Sequence, residues 1–331
     1  VSLELRKPAG REILLQMLPQ LDVLSENFRT GTLDKWGLDR ETLWTAQPGL
    51  VILRATAFGQ TGPRAKNPGF ARIFEAMSGL AYITGDADRT PMHNGYPIGD
   101  PIGGLFGATS VLAALLSRAK SGRTEGEEID LSLTEATFRL LDNQLIDYDQ
   151  TGDVPERTGN KSTYSAPSNV FRTSDNQFVT LAGSTQATFM GNARAIGRPD
   201  LIDDPRFASN VERCGHQDFL DNLFATWFLE HTQDEAVEAF EREGGTLAPI
   251  YSIKRITEDT QFQARNAIVP VPDEDFGEVH LQATVPRFRN QPTGPIRTTA
   301  KHNGADNAEV YGDLLGLDAD ALSALKDKGI I

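Results

Sequence analysis

The feature that most constrains this chain is the strand–helix alternation of its first half. "GLVILRATAFG" (residues 49–59) is a continuous apolar run ending in a glycine loop. Such a run reads as a strand buried on both faces. "DVLSENF" (22–28) and "EEIDLSL" (127–133) share the extended character. Between these strands the apolar spacing turns helical: residues 12–18, two short pieces of "TLDKWGLDRETLW" around Gly37, "FARIFEAMSGL", and the run 105–120. Arg118 and Lys120 occupy the last turn of that run, and Gly122 stands beyond it as a C-terminal stop. A further helix is predicted over 134–148. Alternation of this kind predicts a parallel sheet covered by helices. The apolar run 105–116 is about half the length that spans a bilayer, so it is expected to be a buried helix rather than a membrane span.

After about residue 152 the pattern changes. "RTGNKSTYSAPSNVF" (157–171) is rich in small polar residues and reads as a loop or linker. "NQFVTLAG" is a strand opening a second unit of short helices, predicted at 186–196, 211–229 and 233–243. "FGEVHLQATVPRF" (276–288) reads as an extended pair or one bent strand, and two helices, 308–315 and 318–328, close the chain. A length of 331 residues accommodates two modest domains. The formal net charge of -14 argues against a broad nucleic-acid footprint, which needs clustered Lys and Arg. It still permits a local basic pocket for one phosphorylated ligand. The single cysteine, Cys214, excludes an internal disulfide and fits a reducing cytoplasm. His216, His231, His280 and His302 lack ligand spacing, so no metal is expected. No signal peptide is expected in the opening residues, and the natural protein is expected to begin earlier.

"YPIGDPIGGLFG" (96–107) isolates one carboxylate, Asp100, among glycines, with Pro101 directly behind it. One reading is structural: aspartate as N-cap, proline at the first helical position. The other is chemical. A carboxylate at a helix N-terminus is kept ionised by the amides and the dipole there. Gly99, Gly103 and Gly104 remove side chains around it, so that a ligand carbonyl could approach and nearby amides could hold an oxyanion. Such a group could attack an activated acyl compound and form a covalent intermediate.

An ordered series of segments then extends the pattern along nearly the whole chain: "LELRKPAGREILLQML", "DVLSENFRTGTLDKWGLD", "FGQTGP", "PGF", "SGL", the "GD" at 99–100 with its trailing glycines, "LLSRAKSGRTEGEEIDLSLTEA", "GRPDLIDDPRFASNVER" and "LLGLDADALSALKDKGII". In this order they resemble the class III CoA-transferases, the family that includes formyl-CoA transferase and the carnitine and bile-acid CoA-transferases. The resemblance implies an α/β fold: a Rossmann-like large domain with a parallel sheet, and a smaller α+β domain inserted before a C-terminal return to the large one. The expected boundaries are 1–150 for the large domain, 151–265 for linker and small domain, and 266–331 for a second linker and the return.

The resemblance also implies roles. Asp100 matches the family's nucleophile, which attacks an acyl-CoA thioester. Coenzyme A is then a co-substrate, with no permanently bound cofactor. Leu3, Arg6, Asn27, Phe28, Arg29, Lys35, Gly69, Phe70, Ala71 and Arg72 fall at CoA-lining positions, and Arg6 and Lys35 are suited to phosphate. Gly103, Gly104 and His93 are candidates for contact with substrate or oxyanion, although a histidine in a loop commonly has no such role. The loop 159–165 stands where some members carry a glycine-rich flap, or is a linker. An interlocked homodimer acting on acyl-CoA and a small carboxylic acid in the cytoplasm is implied as well. There are departures. Ala71 stands where an Asp is frequent, and the family usually begins roughly seventy residues earlier, with part of the CoA pocket. An α-methylacyl-CoA racemase shares the fold, but its partner histidine is replaced here by Phe70, which cannot carry a proton. A non-catalytic acyl-CoA-binding protein is the third alternative.

Overall fold

The computed structural model describes residues 1–292 and 294–331. The chain divides into two compact units: Val1–Thr84, Pro91–Glu156 and Ala300–Ile331 form the first, Gly85–Thr90 and Arg157–Thr299 the second. The first unit begins with α1 (Pro8–Met17), β1 (Val23–Glu26), α2 (Thr32–Lys35), α3 (Arg40–Ala46), β2 (Val51–Thr56) and α4 (Ala71–Met77). There follow α5 (Gly99–Ser121), β3 (Glu127–Ser132), α6 (Leu133–Phe138) and α7 (Asp142–Thr151). The three strands form a parallel sheet in the order β1-β2-β3. Parallel neighbours require helical crossovers, which the intervening segments supply. The central strand β2 is buried along nearly its whole length, in keeping with its apolar sequence. Leu18, Leu33, Leu38, Leu43, Leu50 and Ile52 fill the core beside it.

The helix predicted over 134–148 is two. Leu141 leaves helical geometry (φ -104°, ψ 41°) and buries its side chain, separating α6 from α7. Packing of one leucine overrides a continuous helical pattern there. The larger departure concerns α5. It runs for 23 residues and carries an apolar window of mean hydropathy 1.4, so by length and composition it is long enough to cross a membrane. It is also not the buried helix expected. Only Gly99, Gly103 and Gly107 are buried on it, while Leu105, Leu112 and Leu116 are each more than half exposed. The glycines, four residues apart, form one stripe. A Cβ at Gly99 would sit 2.4 Å from Phe74 Cε2, at Gly103 2.1 Å from Leu133 Cδ2, and at Gly107 3.0 Å from Leu53 Cδ2. The helix therefore packs through its bare backbone on α4, α6 and β2, and its bulky apolar side chains point away from them.

The second unit contains β4 (Ser168–Arg172), β5 (Phe178–Ala182), α8 (Gln186–Ala195), α9 (Asn210–Gly215), α10 (Gln217–Leu229), α11 (Gln233–Glu243) and β6 (Leu247–Pro249), then α12 (Ile253–Glu258), α13 (Thr260–Ala264), β7 (Ile268–Asp273) and β8 (Gly277–Gln282). Strands β4, β5 and β6 are antiparallel, and phenylalanines 171, 189, 207, 224, 228 and 240 fill the core against them. The single helix predicted over 211–229 is interrupted at His216 (φ -123°, ψ 24°). The predicted extended segment is the second arm of an antiparallel hairpin, β7–β8. Residues 266–299 cluster with this unit, because they carry that hairpin and Thr299 is tied to it through the carbonyl of Pro272 and the carboxylate of Asp273. From Ala300 the chain returns to the first unit as α14 (Asn307–Leu315) and α15 (Ala319–Asp327). Tyr311 donates to the carbonyl of Ser2 at 2.6 Å, and the Glu4 amide donates to Ile330 at 2.8 Å, which pins both ends of the chain together. The fold is α/β, with a Rossmann-like parallel sheet in the first unit and an α+β second unit.

Candidate active site

The site grows from the C-terminal ends of the parallel strands, the edge where ligands bind in open α/β sheets. Arg54, on the buried strand, is 4% exposed and lies opposite Glu26 of β1 and Asp130 of β3. A cation in that position needs carboxylates. Its Nε donates to Glu128 Oε1 at 2.7 Å, and its Nη1 lies 3.6 Å from Glu26 and 3.4 Å from Asp34. Burial pushes the Glu26 carboxyl above the ordinary carboxylate range; the Phe28 amide and Arg54 oppose that shift. Glu26 Oε2 accepts the Phe28 N–H at 2.7 Å, which fixes the loop Asn27–Thr30 at the end of β1. Phe28 also stacks edge-on against Trp36 at 5.2 Å.

The second wall is the loop 57–70. Thr134 donates its backbone N–H and its hydroxyl to the carbonyl of Ala57, and Thr30 Oγ1 donates to Gly59 at 3.3 Å. Gly69 is in close contact: a Cβ there would sit 2.4 Å from that of Ala57. The third wall is the head of α5. Asp100 is not the N-cap. The helix starts at Gly99, with Ile98 before it and no capping side chain from within the segment. The Gly99 amide donates instead to Glu75 Oε1 at 3.1 Å, and the Asp100 amide to Pro97 O at 3.3 Å. The carboxylate of Asp100 is exposed, with no hydrogen-bond or ion-pair partner among the described residues.

These walls enclose a cavity of about 330 Å³. Asn27, Phe28, Arg29, Gly69, Phe70 and Asp100 all line it, so the structure brings together six of the residues singled out in the sequence, from three segments up to 73 positions apart. Thr30, Thr56, Asn67, Phe74 and Leu133 join them. The other candidates lie outside the lining. Arg6 is held by Glu4, its Nε donating at 2.8 Å; that contact drops the Glu4 carboxyl to about 2. Leu3 belongs to the packing of the chain ends. Lys35 and Arg72 are exposed, and Ala71 is buried at the start of α4. Gly103 and Gly104 stand within the helix, where amides are committed to the helical ladder, and Gly103 faces Leu133. His93 is partly exposed; its Nδ1 lies 3.2 Å from Glu75 Oε2. The loop 159–165 is anchored within its own unit: Lys161 pairs with Asp218 at 2.6 Å, and Asn210 donates to the carbonyl of Tyr164 at 2.8 Å. Arg54 and Glu75 escaped the sequence reading, yet each left a signal. Arg54 interrupts an apolar strand, and Glu75 shares the buried helical face of Ala71 and Ser78.

The arrangement offers a free carboxylate and the guanidinium of Arg29 in the lining of one partly apolar cavity, suited to covalent attack on an acyl group carried by an anionic ligand. Residues 1–307 match the model of CoA-transferase family III. A succinyl-CoA–D-citramalate CoA-transferase of Chloroflexus aurantiacus is 38% identical over the whole chain and 82% of its own length. The alpha subunit of a succinyl-CoA–L-malate CoA-transferase of the same organism is 33% identical over the whole chain and 77% of its own length. Among solved structures, a CAIB/BAIF family protein from Brucella suis superimposes with a TM-score of 0.80 at 29% identity, covering 95% of this chain and 81% of that one. A match that covers residues 1–307, and so all three sheets, leaves one conclusion: the chain belongs to CoA-transferase family III.

Proposed function

We propose that this CoA-transferase moves CoA from succinyl-CoA to a small dicarboxylic acid, with Asp100 as the nucleophile. An Asp100 oxygen attacks the thioester carbonyl, the C–S bond breaks, and CoA leaves as thiolate from a mixed anhydride. The thiolate then attacks the Asp100 carbonyl, releasing succinate and leaving an aspartyl-CoA thioester. The acceptor carboxylate attacks that thioester and forms a second anhydride. CoA thiolate returns to the acceptor's acyl carbon, which frees Asp100. No proton or electron is gained or lost over the cycle. The observation that carries this reading is the partnerless Asp100 carboxylate lining the same cavity as Asn27–Arg29 and Gly69–Phe70. The choice of acids draws on the names of the succinyl-CoA–citramalate and succinyl-CoA–malate relatives. Phe70, 81% exposed at the cavity, favours transfer over racemisation, because a phenyl ring cannot return a proton to an α-carbon.

A symmetric homodimer is part of the proposal, since α5 presents Leu105, Leu112 and Leu116 to solvent in the single chain. The test is a covalent trap. The protein is incubated with succinyl-CoA, quenched with hydroxylamine or borohydride, and mapped by mass spectrometry. Modification at Asp100, with CoA appearing on added malate or citramalate, supports the reading. Solvent deuterium at an α-carbon would point to racemisation, and an unmodified protein that binds the thioester would leave a binding role only.

A further inference from the structure

We infer that Glu75 is the positioning residue of this site: it caps α5 in place of Asp100 and so leaves Asp100 free to react. The inference rests on the proposed transfer reaction for its kinetic consequence but on geometry for its origin. The first turn of any helix has amides without helical partners, and a nearby side-chain oxygen must accept them. Asp100 stands where it could serve that purpose, two positions into α5. It does not, because the carboxyl of Glu75 arrives from α4. Glu75 is 2% exposed, and its Oε1 takes the Gly99 N–H at 3.1 Å. Its other oxygen meets His93 Nδ1 at 3.2 Å. His93 lies on the segment leading into α5, so one buried carboxyl holds both the segment and the helix start. The same helix α4 places Phe74 against Gly99, where a Cβ would come within 2.4 Å. Steric seating by Phe74 and the bond to Glu75 together fix the residue directly before Asp100. A carboxyl buried this deeply is costly unless both oxygens are bonded, and here both are.

The experiment pairs Glu75→Ala and Glu75→Gln in the full chain. Gln keeps an oxygen for the Gly99 amide, so it is the rescue. Two readouts are taken: amide hydrogen exchange of the peptide 96–104, and kcat and KM for CoA transfer. Glu75→Ala is expected to speed exchange at the head of α5 while the rest of the helix stays protected, and to lower kcat by at least about tenfold with KM for acyl-CoA little changed. Glu75→Gln is expected to restore most of both. His93→Ala, in a partly exposed loop where folding is not at stake, is expected to speed the same exchange and lower kcat about threefold or more. Unchanged exchange in Glu75→Ala and His93→Ala overturns the inference, as does Gln proving as damaging as Ala on both counts. Should Glu75→Ala not fold, the His93 and Gln variants decide by the same criteria. If the parent moves no CoA at all, the transferase reading falls, while hydrogen exchange still decides whether Glu75 holds the helix.

Discussion

In the proposed reaction, Asp100 acquires its chemistry by being relieved of structure. A side chain that caps a helix has its oxygens engaged, and replacing it by Ala typically costs about 1 kcal/mol. Here the capping is done by Glu75, so Asp100→Asn should leave the melting temperature nearly unchanged while lowering CoA transfer roughly a thousandfold or more, since an amide cannot open a thioester. Thermal denaturation beside the acyl-exchange rate checks this, and retained transfer would remove Asp100 from the mechanism. Arg54 is the opposite case, a residue wholly given to structure. It is 4% exposed and faces Glu26, Asp34 and Glu128, so Arg54→Met should cost roughly 3–5 kcal/mol by leaving Glu26 buried without its cation. The loss has a pH signature. Burial already holds the Glu26 carboxyl above its ordinary value, so the folded chain keeps that proton longer than the unfolded chain does. Such a group costs nothing below its unfolded value and becomes a penalty as pH rises through its folded value. Removing Arg54 raises the folded value further. The stability gap between variant and parent should therefore widen as pH rises above the ordinary carboxylate range, as read by urea midpoints; an equal gap below and above that range would show that Glu26 is not the group responsible.

At the scale of elements, the glycine stripe of α5 sets how closely that helix sits on the sheet. Gly103→Ala places a methyl 2.1 Å from Leu133 Cδ2, and the displaced leucine should cost about 1–3 kcal/mol. Its neighbour Gly104 faces open space, so Gly104→Ala should stabilise by up to about 1 kcal/mol through helix propensity. Denaturant titration of the pair checks the assignment, and equal effects would place the stripe elsewhere. This packing also marks where the sequence was legible. The strand 49–59 and the helices 186–196 and 233–243 follow from apolar spacing and turn residues, because burial and period agree there. The exposure of α5 is not legible in its sequence, since an apolar run says that a surface is greasy and not which side packs. Breaks at Leu141 and His216 depend on tertiary packing that spacing does not encode. The lining of the candidate cavity is legible where a local motif carries it, as in Asn27–Arg29 and Asp100. Glu75 and Arg54 act across distances of 24 and 28 residues, on Gly99 and Glu26, and a pairing of that kind is set only by the fold.

For the whole molecule, the exposed side of α5 poses a problem of solvation. Leu105, Leu112 and Leu116 are 64, 67 and 54% exposed, and α7, with none of its residues buried, adds Leu145 and Ile146 at 52 and 59%. Apolar surface of this extent on a single chain generally marks a contact with a partner. A second copy, presenting the same face about a two-fold axis, would cover it at a hydrophobic gain of about 25 cal/mol per Å². If that account holds, the parent sediments as a dimer, and Leu112→Glu combined with Leu116→Glu sediments as a monomer with an unchanged far-ultraviolet spectrum, because charges carried into the contact would have to be desolvated without partners. Equilibrium dialysis of a CoA thioester against parent and monomeric variant then reads whether a second copy contributes to binding at the cavity beside Asp100. A parent that stays monomeric at micromolar concentration, or a double variant that remains dimeric, would show that something other than a second copy covers α5.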